Sequence, residues 1–367
     1  MKIIVAPDKF KGSLTSMQAC KAIQAGIHQC ISHAEVLLFP MADGGDGFDE
    51  VLQHYLQTET VHCNTVDTLM RPIAATYQLN TFSKTAIIAL AAATGLVLLK
   101  DEERNPLLTT TYGSGLMIKH AIENGAEKII LGLGGSATND AGMGILAALG
   151  FQLLDSDGNS LPPVGGNLEW VNQIIAPAVI PAISFQIACD VENVLHGKHG
   201  AAFVYAEQKG ASAADIILLD NGLAHIAKII QSQTGRDVAN IPGAGAAGGV
   251  AAGLMAYFNC KMIQGALLVM EASSILKQIP GATLIITGEG KLDAQSINGK
   301  VIQHIAKLGK QNNVPVIALC GIADVSQEQI IESGLSAAYQ IINDNISQQY
   351  AIDNAGELLT QLSQSAV

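Results

Sequence analysis

Aromatic residues are scarce in this chain: phenylalanine, tryptophan and tyrosine together make up 4% of 367 positions. The core must therefore be aliphatic, and the 49% of apolar residues supply it. Positive charge is scarce too. Lysine and arginine number 20 against 32 acids, a formal balance of −12, so the basic surface that a phosphate backbone demands is missing and nucleic acid is excluded as a partner. A small anionic ligand is not excluded, because a few local cations serve one. The six cysteines (20, 30, 63, 189, 260, 320) show no CxxC spacing. That argues against a zinc site or a disulfide framework and for free buried thiols in a reducing cytosol. Long apolar runs are absent. "MKIIVAPDKF" has no signal-peptide h-region, and the small-residue stretch 243–257 is broken by glycines and short for a membrane span. These absences predict a cytoplasmic protein with no membrane partner. The nine histidines have no HExxH spacing. Ser136 lacks the frame of a hydrolase elbow, and no Gly-Lys-Ser/Thr completes a Walker A loop.

Glycine, by contrast, is abundant, with 37 residues, more than helix ends require. It predicts many tight strand-to-helix turns. A chain of this length suggests two domains. "KIIVA" (2–6) and "EVLLF" (35–39) read as buried strands, each followed by a helical pattern, the first capped by Ser13, Thr15 or Ser16. The tail repeats the alternation with "TLIITGEG" (283–290), "VPVIALCG" (314–321) and "AAYQIIN" (337–343). Together the two ends give five parallel strands alternating with helices, a flavodoxin-like sheet. Between them, 60–67, 71–80 and 84–90 are strands with no helix separating them, an antiparallel meander. The expected organisation is an α/β fold: a discontinuous flavodoxin-like domain (1–58 and 282–367) with a second mixed α/β domain (59–281) inserted.

Ligands of open α/β sheets bind beyond the carboxyl ends of the strands. The turns expected there are "PDKFKGS" with Asp8, Lys9 and Lys11, "PMADGGDG" with Asp43 and Asp46, and "TGEGKLD" with Glu289, Lys291 and Asp293. Lysines before a capped helix can meet an anion; acids in a glycine turn can hold a metal or a substrate. In the last turn an acid can hold Mg²⁺ while the lysine meets phosphate. Inside the insert, "IILGLGGSATNDAGMG" (129–144) runs a buried strand into Gly134, Gly135 and Ser136, with Thr138 or Asn139 opening a helix. Small residues there let phosphate reach backbone N–H groups. Asp190 ends another strand, where it can take a proton from a hydroxyl or hold a metal. Lys209 lies in the turn "QKGA", and "IPGAGAAGGVAAGL" (241–254) is a further glycine loop.

"APDKFKGSLT", "PMADGGDG", "RNPL..TTTYGSG", "LGLGGSATNDAGMG", "CDV.N", "EQKGA", "PGAGAAGG" and "TGEGKLDAQS..GK" follow one another in the order found in two-domain bacterial glycerate kinases. The chain resembles that family from residue 7 to about 300. The resemblance implies an ATP- and Mg²⁺-dependent kinase acting on D-glycerate, as a monomer or homodimer. It implies 2-phosphoglycerate as the usual product, with 3-phosphoglycerate as the alternative. On it rest the following roles. Lys9, Lys11 or Arg71 meets the substrate carboxylate, with Lys9 also counted among the catalytic residues, and Asp43 and Asp46 touch substrate or metal. Gly134, Gly135, Ser136, Thr138 and Asn139 hold ATP phosphates, with Lys209 or Lys291 assisting. Asp190 or Asp293 orients the attacking hydroxyl, and Asp43, Asp46 or Glu289 carries Mg²⁺. One departure stands out: relatives carry an acid in the segment matching "IIALAAATGL" (87–96), and here Leu90 and alanines fill it. The competing readings are a dinucleotide oxidoreductase, which "APDKFKGS" does not support for want of G-x-G-x-x-G, and a non-catalytic small-acid sensor.

Overall fold

The computed structural model describes residues 1–44, 47–294, 297, 300–343 and 345–367. The described strands are, in chain order, β1 (Lys2–Val5), β2 (Glu35–Leu38), β3 (Glu59–Val66), β4 (Pro72–Asn80), β5 (Thr85–Ala89), β6 (Lys128–Gly132) and β7 (Gln152–Leu154). They continue with β8 (Gln173–Ile175), β9 (Ser184–Ala188), β10 (Asn259–Ile263), β11 (Leu284–Leu292), β12 (Val316–Ala323) and β13 (Ala337–Gln340). The chain forms two compact units: Met1–Asp43, Glu50–Tyr55 and Gln264–Val367 make the first, and Gly44–Asp49 with Leu56–Ile263 the second.

The first unit is built on a five-stranded, wholly parallel sheet of order β13-β12-β11-β1-β2. Read from the β2 edge this is the flavodoxin order, and its topological switch point lies between β1 and β11. Ile3, Ile4 and Val5 are fully buried, as strands covered by helices on both faces must be. Helix Ser16–Cys30 starts at a capping box, with the Thr15 hydroxyl accepting from the Gln18 N–H. It packs on helix Ala355–Ala366 at close range, because a Cβ at Gly26 would lie 2.3 Å from the Thr360 carbonyl oxygen. Helix Val301–Asn312 buries Val301, Ile302, Ile305 and Leu308 along one stripe.

The second unit carries a six-stranded sheet of order β10-β9-β6-β5-β4-β3. β3, β4 and β5 form the antiparallel meander, while β5, β6, β9 and β10 run parallel. The carboxyl ends of β5, β6, β9 and β10 therefore share one edge. β7 and β8 pair separately. The core is aliphatic apart from a few rings such as Tyr77 and Phe185.

Two expectations need correcting. Glu289 and Lys291 are not in a turn: β11 continues to Leu292 because β12 runs alongside it, pairing Glu289 with Cys320 and Lys291 with Ile322. The cysteines are free, but only Cys20, Cys63 and Cys320 are buried, and Cys30 is exposed. No helix among the described residues is long and apolar enough to cross a membrane.

Candidate functional site

In the parallel-sheet unit, the segments after β1 and β2 meet β11 at the switch point. The Asp8 N–H donates to the Gly288 carbonyl (2.8 Å), and Met41 N–H donates to the Pro7 carbonyl (3.0 Å). Gly290 allows the close approach, since a Cβ there would lie 3.2 Å from the Lys11 nitrogen. Asp8 is thereby buried, 8% exposed. Burial first, then the neighbouring Asp43 and Glu289 carboxylates, push its carboxyl up to about 8, against the pull of the Lys9 N–H and side chain. The Lys9 N–H donates to Asp8 Oδ1 at 2.7 Å. Asp43 and Glu289 are half-buried, and Lys300 Nζ stands 3.8 Å from Asp43 Oδ2. Lys11 is exposed and Lys9 half-buried. Lys291 points to Asp324 at 3.4 Å, and Asp293 stands half-buried just past β11. Asp46 lies outside the described residues. The sequence reading placed Asp8 in this cluster without assigning it a role and missed Lys300; a lysine opening a helix gave no signal that an acid lay across from it.

In the mixed-sheet unit, four of the quoted motifs converge beyond β6. Gly134 and Gly135 form the tip, with Gly135 exposed and at φ +74°. Behind it several backbone groups of the turn are held by neighbouring segments. Leu96 N–H donates to the Gly135 carbonyl (2.8 Å), and Ala137 N–H donates to Thr94 (3.0 Å). Thr109 Oγ1 donates to the Ala137 carbonyl (3.0 Å). Lys209 Nζ donates to Ser136 Oγ (3.0 Å) and to the Thr138 carbonyl (2.7 Å). Ala141 N–H donates to Gly248 (3.0 Å). Asp140, fully buried, accepts from Thr111 N–H (2.7 Å) and Oγ1 (2.8 Å), and from the N–H groups of Gly142 (3.1 Å) and Gly144 (3.2 Å). Burial raises its carboxyl and those hydrogen bonds lower it.

The glycines explain themselves by contact. A Cβ at Gly248 (φ +70°) would lie 2.1 Å from the Thr138 carbonyl oxygen, and one at Gly210 (φ +95°) 2.1 Å from that of Arg104. Ala247, Gly248 and Gly249 all have positive φ, so the "GAGAAGG" loop turns left-handed to fit against the 138–141 backbone. The sequence reading missed Asp140, Thr109 and Thr111; the run of three threonines was the available signal.

Asp190 is half-buried beyond β9. Next to it, burial with an addition from Asp190 holds the Cys189 thiol up at about 11, so this sulfur is no nucleophile at neutral pH. Gly245 N–H ties the following segment down through the Asn193 carbonyl (2.9 Å). The segment lacking the relatives' acid lies against the glycine turn: Ala91 Cβ is 3.3 Å from where a Gly135 Cβ would be. Leu90 is fully buried there, and its carbonyl accepts from Ser114 Oγ at 3.0 Å. Arg71 is engaged elsewhere. Its Nε meets Asp67 Oδ2 at 2.5 Å and its Nη1 meets Glu103 Oε1 at 2.7 Å.

The model of the glycerate kinase family matches residues 3–367. The chain belongs to the glycerate kinase family. It is an enzyme, a kinase. A glycerate kinase of Halalkalibacterium halodurans is 42% identical over 366 residues, covering 99% of this chain and 96% of that one. The glycerate 2-kinase of Escherichia coli K12 is 39% identical over 93% of this chain and 91% of its own length. A crystal structure assigned to glycerate kinase 2 of Salmonella typhimurium LT2 superposes with a TM-score of 0.87 at 36% identity, over 100% of this chain and 97% of that one.

Proposed function

We propose that this kinase transfers the γ-phosphoryl group of ATP to D-glycerate and yields 2-phosphoglycerate. The reading is carried by the coincidence, in a member of this family, of a glycine turn held from all sides with an acid cluster at a sheet switch point. Phosphoryl transfer asks a protein for positioning and charge neutralisation, which are what these two arrangements offer. The 134–139 turn would take the ATP phosphates on backbone N–H groups, glycine at its tip permitting close approach. Lys9 and Lys11 would meet the glycerate carboxylate. Arg71 is a weaker candidate, because Asp67 and Glu103 already fill its fork. Asp190 or Asp293 would accept a hydrogen bond from the attacking hydroxyl and then its proton.

The acid cluster suits Mg²⁺. Asp8, Asp43 and Glu289 are hard oxygen donors, and the Asp43 and Glu289 carboxylates both raise the proton affinity of Asp8, which a cation would relieve. Among the described residues no three His, Cys, Asp or Glu side chains are placed as a ready cage. Mg²⁺ does not need one: one or two carboxylates suffice when phosphate oxygens and water complete the shell. Asp43 and Glu289 would hold it, with Asp46 a further candidate, and bound Mg²⁺ would neutralise charge on the transferred phosphoryl group.

The test is coupled ATP consumption with and without D-glycerate, followed by phosphorus NMR of the product. ATP turnover indifferent to D-glycerate would sink the proposal. Phosphorus coupled to the two C3 protons would replace 2-phosphoglycerate with 3-phosphoglycerate.

A further inference from the structure

Lys209 is 4% exposed, an uncommon place for an ammonium. It closes the short 3₁₀ helix Glu207–Lys209, and Gly210 turns the chain sharply after it. Its Nζ reaches the Ser136 hydroxyl and the Thr138 carbonyl, so it grips the glycine turn from within the unit. Burial depresses this ammonium to about 8, with Asp140 pulling the other way. Asp140 grips the other end of the same turn, through Gly142 and Gly144, and ties it to Thr111. Between the two grips lie Thr138 and Asn139, 0% and 1% exposed. Thr138 Oγ1 and both amide atoms of Asn139 have no partner among the described residues. Native proteins seldom leave buried polar atoms unmatched. Three together, on a turn held by its neighbours at Gly135, Ala137, Thr138 and Ala141, mark a surface prepared for a ligand.

We propose that Lys209 and Asp140 are positioning residues: a buried cation and a buried anion fix the 136–144 turn from inside and so hold Thr138 and Asn139 ready for the nucleotide. The nucleotide part rests on the reading that this turn takes ATP. Lys209 then acts through the turn, not as a direct clamp on phosphate.

Two readouts test this, hydrogen exchange of the ligand-free protein and steady-state kinetics with MgATP and D-glycerate. Lys209→Met keeps the length and removes the charge. We expect peptides covering 134–144 to exchange at least about tenfold faster in that variant without ligand. We expect KM for ATP to rise about tenfold or more and KM for D-glycerate to stay within about twofold. Asp140→Asn should shift both readouts in the same direction. Unchanged exchange in Lys209→Met overturns the proposal whatever the kinetics, because a direct phosphate clamp would not protect the empty turn. Faster exchange with a raised KM for D-glycerate and an unchanged KM for ATP keeps the positioning role and removes ATP from this turn. Should Lys209→Met not fold, Ser136→Ala deletes one of the two acceptors and should move exchange and ATP KM the same way by a smaller factor. Wild-type values for both in Ser136→Ala would overturn the proposal as well.

Discussion

The two units prepare their chemistry in opposite ways. In the parallel-sheet unit the functional groups are charges crowded at a switch point. Asp8 is so ill at ease as a carboxylate that it holds its proton up to about pH 8. In the mixed-sheet unit the groups are neutral atoms on a backbone whose neighbours fix it at Gly135, Ala137, Thr138 and Ala141. One site is built from charges, the other from a backbone held by its neighbours. The difference teaches where each is vulnerable. The first should respond most to changes of charge; the second should respond to changes of volume in the turn and to loss of the two buried charges that hold it.

The largest effect should come from Gly248→Ala. The new Cβ would need to sit 2.1 Å from the Thr138 carbonyl oxygen and 2.5 Å from Asn139 Cα, at φ +70°. Both the clash and the left-handed backbone oppose it, at about 3 kcal/mol or more. Thermal unfolding should show a large loss of stability together with loss of ATP binding. Gly197→Ala is the control, since φ is +90° but nothing lies within 4 Å; it should cost about 1–2 kcal/mol and leave ATP binding intact. Equal effects at the two positions would mean that backbone strain alone, not packing of the two loops, sets the turn.

Asp8→Asn probes the other unit by charge at constant volume. Turnover should fall about a hundredfold or more if the acid cluster serves the metal. Stability of the ligand-free protein should move the opposite way. The carboxyl of Asp8 titrates near 8 in the folded chain, above the ordinary 3.8 of aspartate. Its contribution is therefore fully present below about pH 4 and is lost as pH rises through 8. The asparagine variant carries no such term, so wild type and variant should diverge with rising pH by on the order of a few kcal/mol. Parallel stability curves from pH 4 to 9 would remove Asp8 from the cluster.

This contrast also explains what could be read in advance. The five strands of the parallel sheet and the antiparallel meander were legible, because apolar runs such as "KIIVA" and glycine or proline punctuation carry them, whereas the short β7, β8 and β10 were not. The charged segments after β1 and β2 were legible for the same reason: strand ends are local. Strand length was less so. Nothing near Glu289 announces that β12 will extend β11 past it, because that depends on a chain segment some thirty residues away. The partners of the glycine turn were least legible. Lys209 looks like a solvated turn lysine in sequence, and only the fold buries it under Ser136 and Thr138. Arg71 looks free to meet a carboxylate, and only the fold sets Asp67 and Glu103 against it.

Lys209 offers a pH signature of the opposite sign to that of Asp8. Its ammonium titrates near 8 in the folded chain, below the ordinary 10.5 of lysine. Stability should thus rise between about pH 8 and 10.5 as the folded state sheds its proton first. ATP binding should weaken over the rising part of that window, as the charge that steadies the turn is lost, by about tenfold. Opposed slopes for stability and for ATP affinity are the expected pattern, and Lys209→Met should flatten both. Slopes of the same sign would mean that Lys209 is no more than a structural cation.

The smallest effect should come from Arg71, which tests the comparison at its margin. Arg71 belongs to the mixed-sheet unit but not to the glycine turn, and its side chain is 46% exposed. Its guanidinium is already shared by Asp67 and Glu103, and both hydrogen bonds raise its hold on its proton. A fork whose donors face two acids has little left for a substrate carboxylate, and an exposed ion pair of this kind contributes weakly. Arg71→Gln should therefore change KM for D-glycerate by less than about twofold, whereas Lys9→Met, at the switch point, should raise it about tenfold or more. A large rise in the Arg71 variant would show that the arginine leaves Asp67 and Glu103 when substrate arrives. The mixed-sheet unit would then also contain a charge that binding organises, and the division between a charge-built site and a volume-built one would no longer follow the boundary between the units.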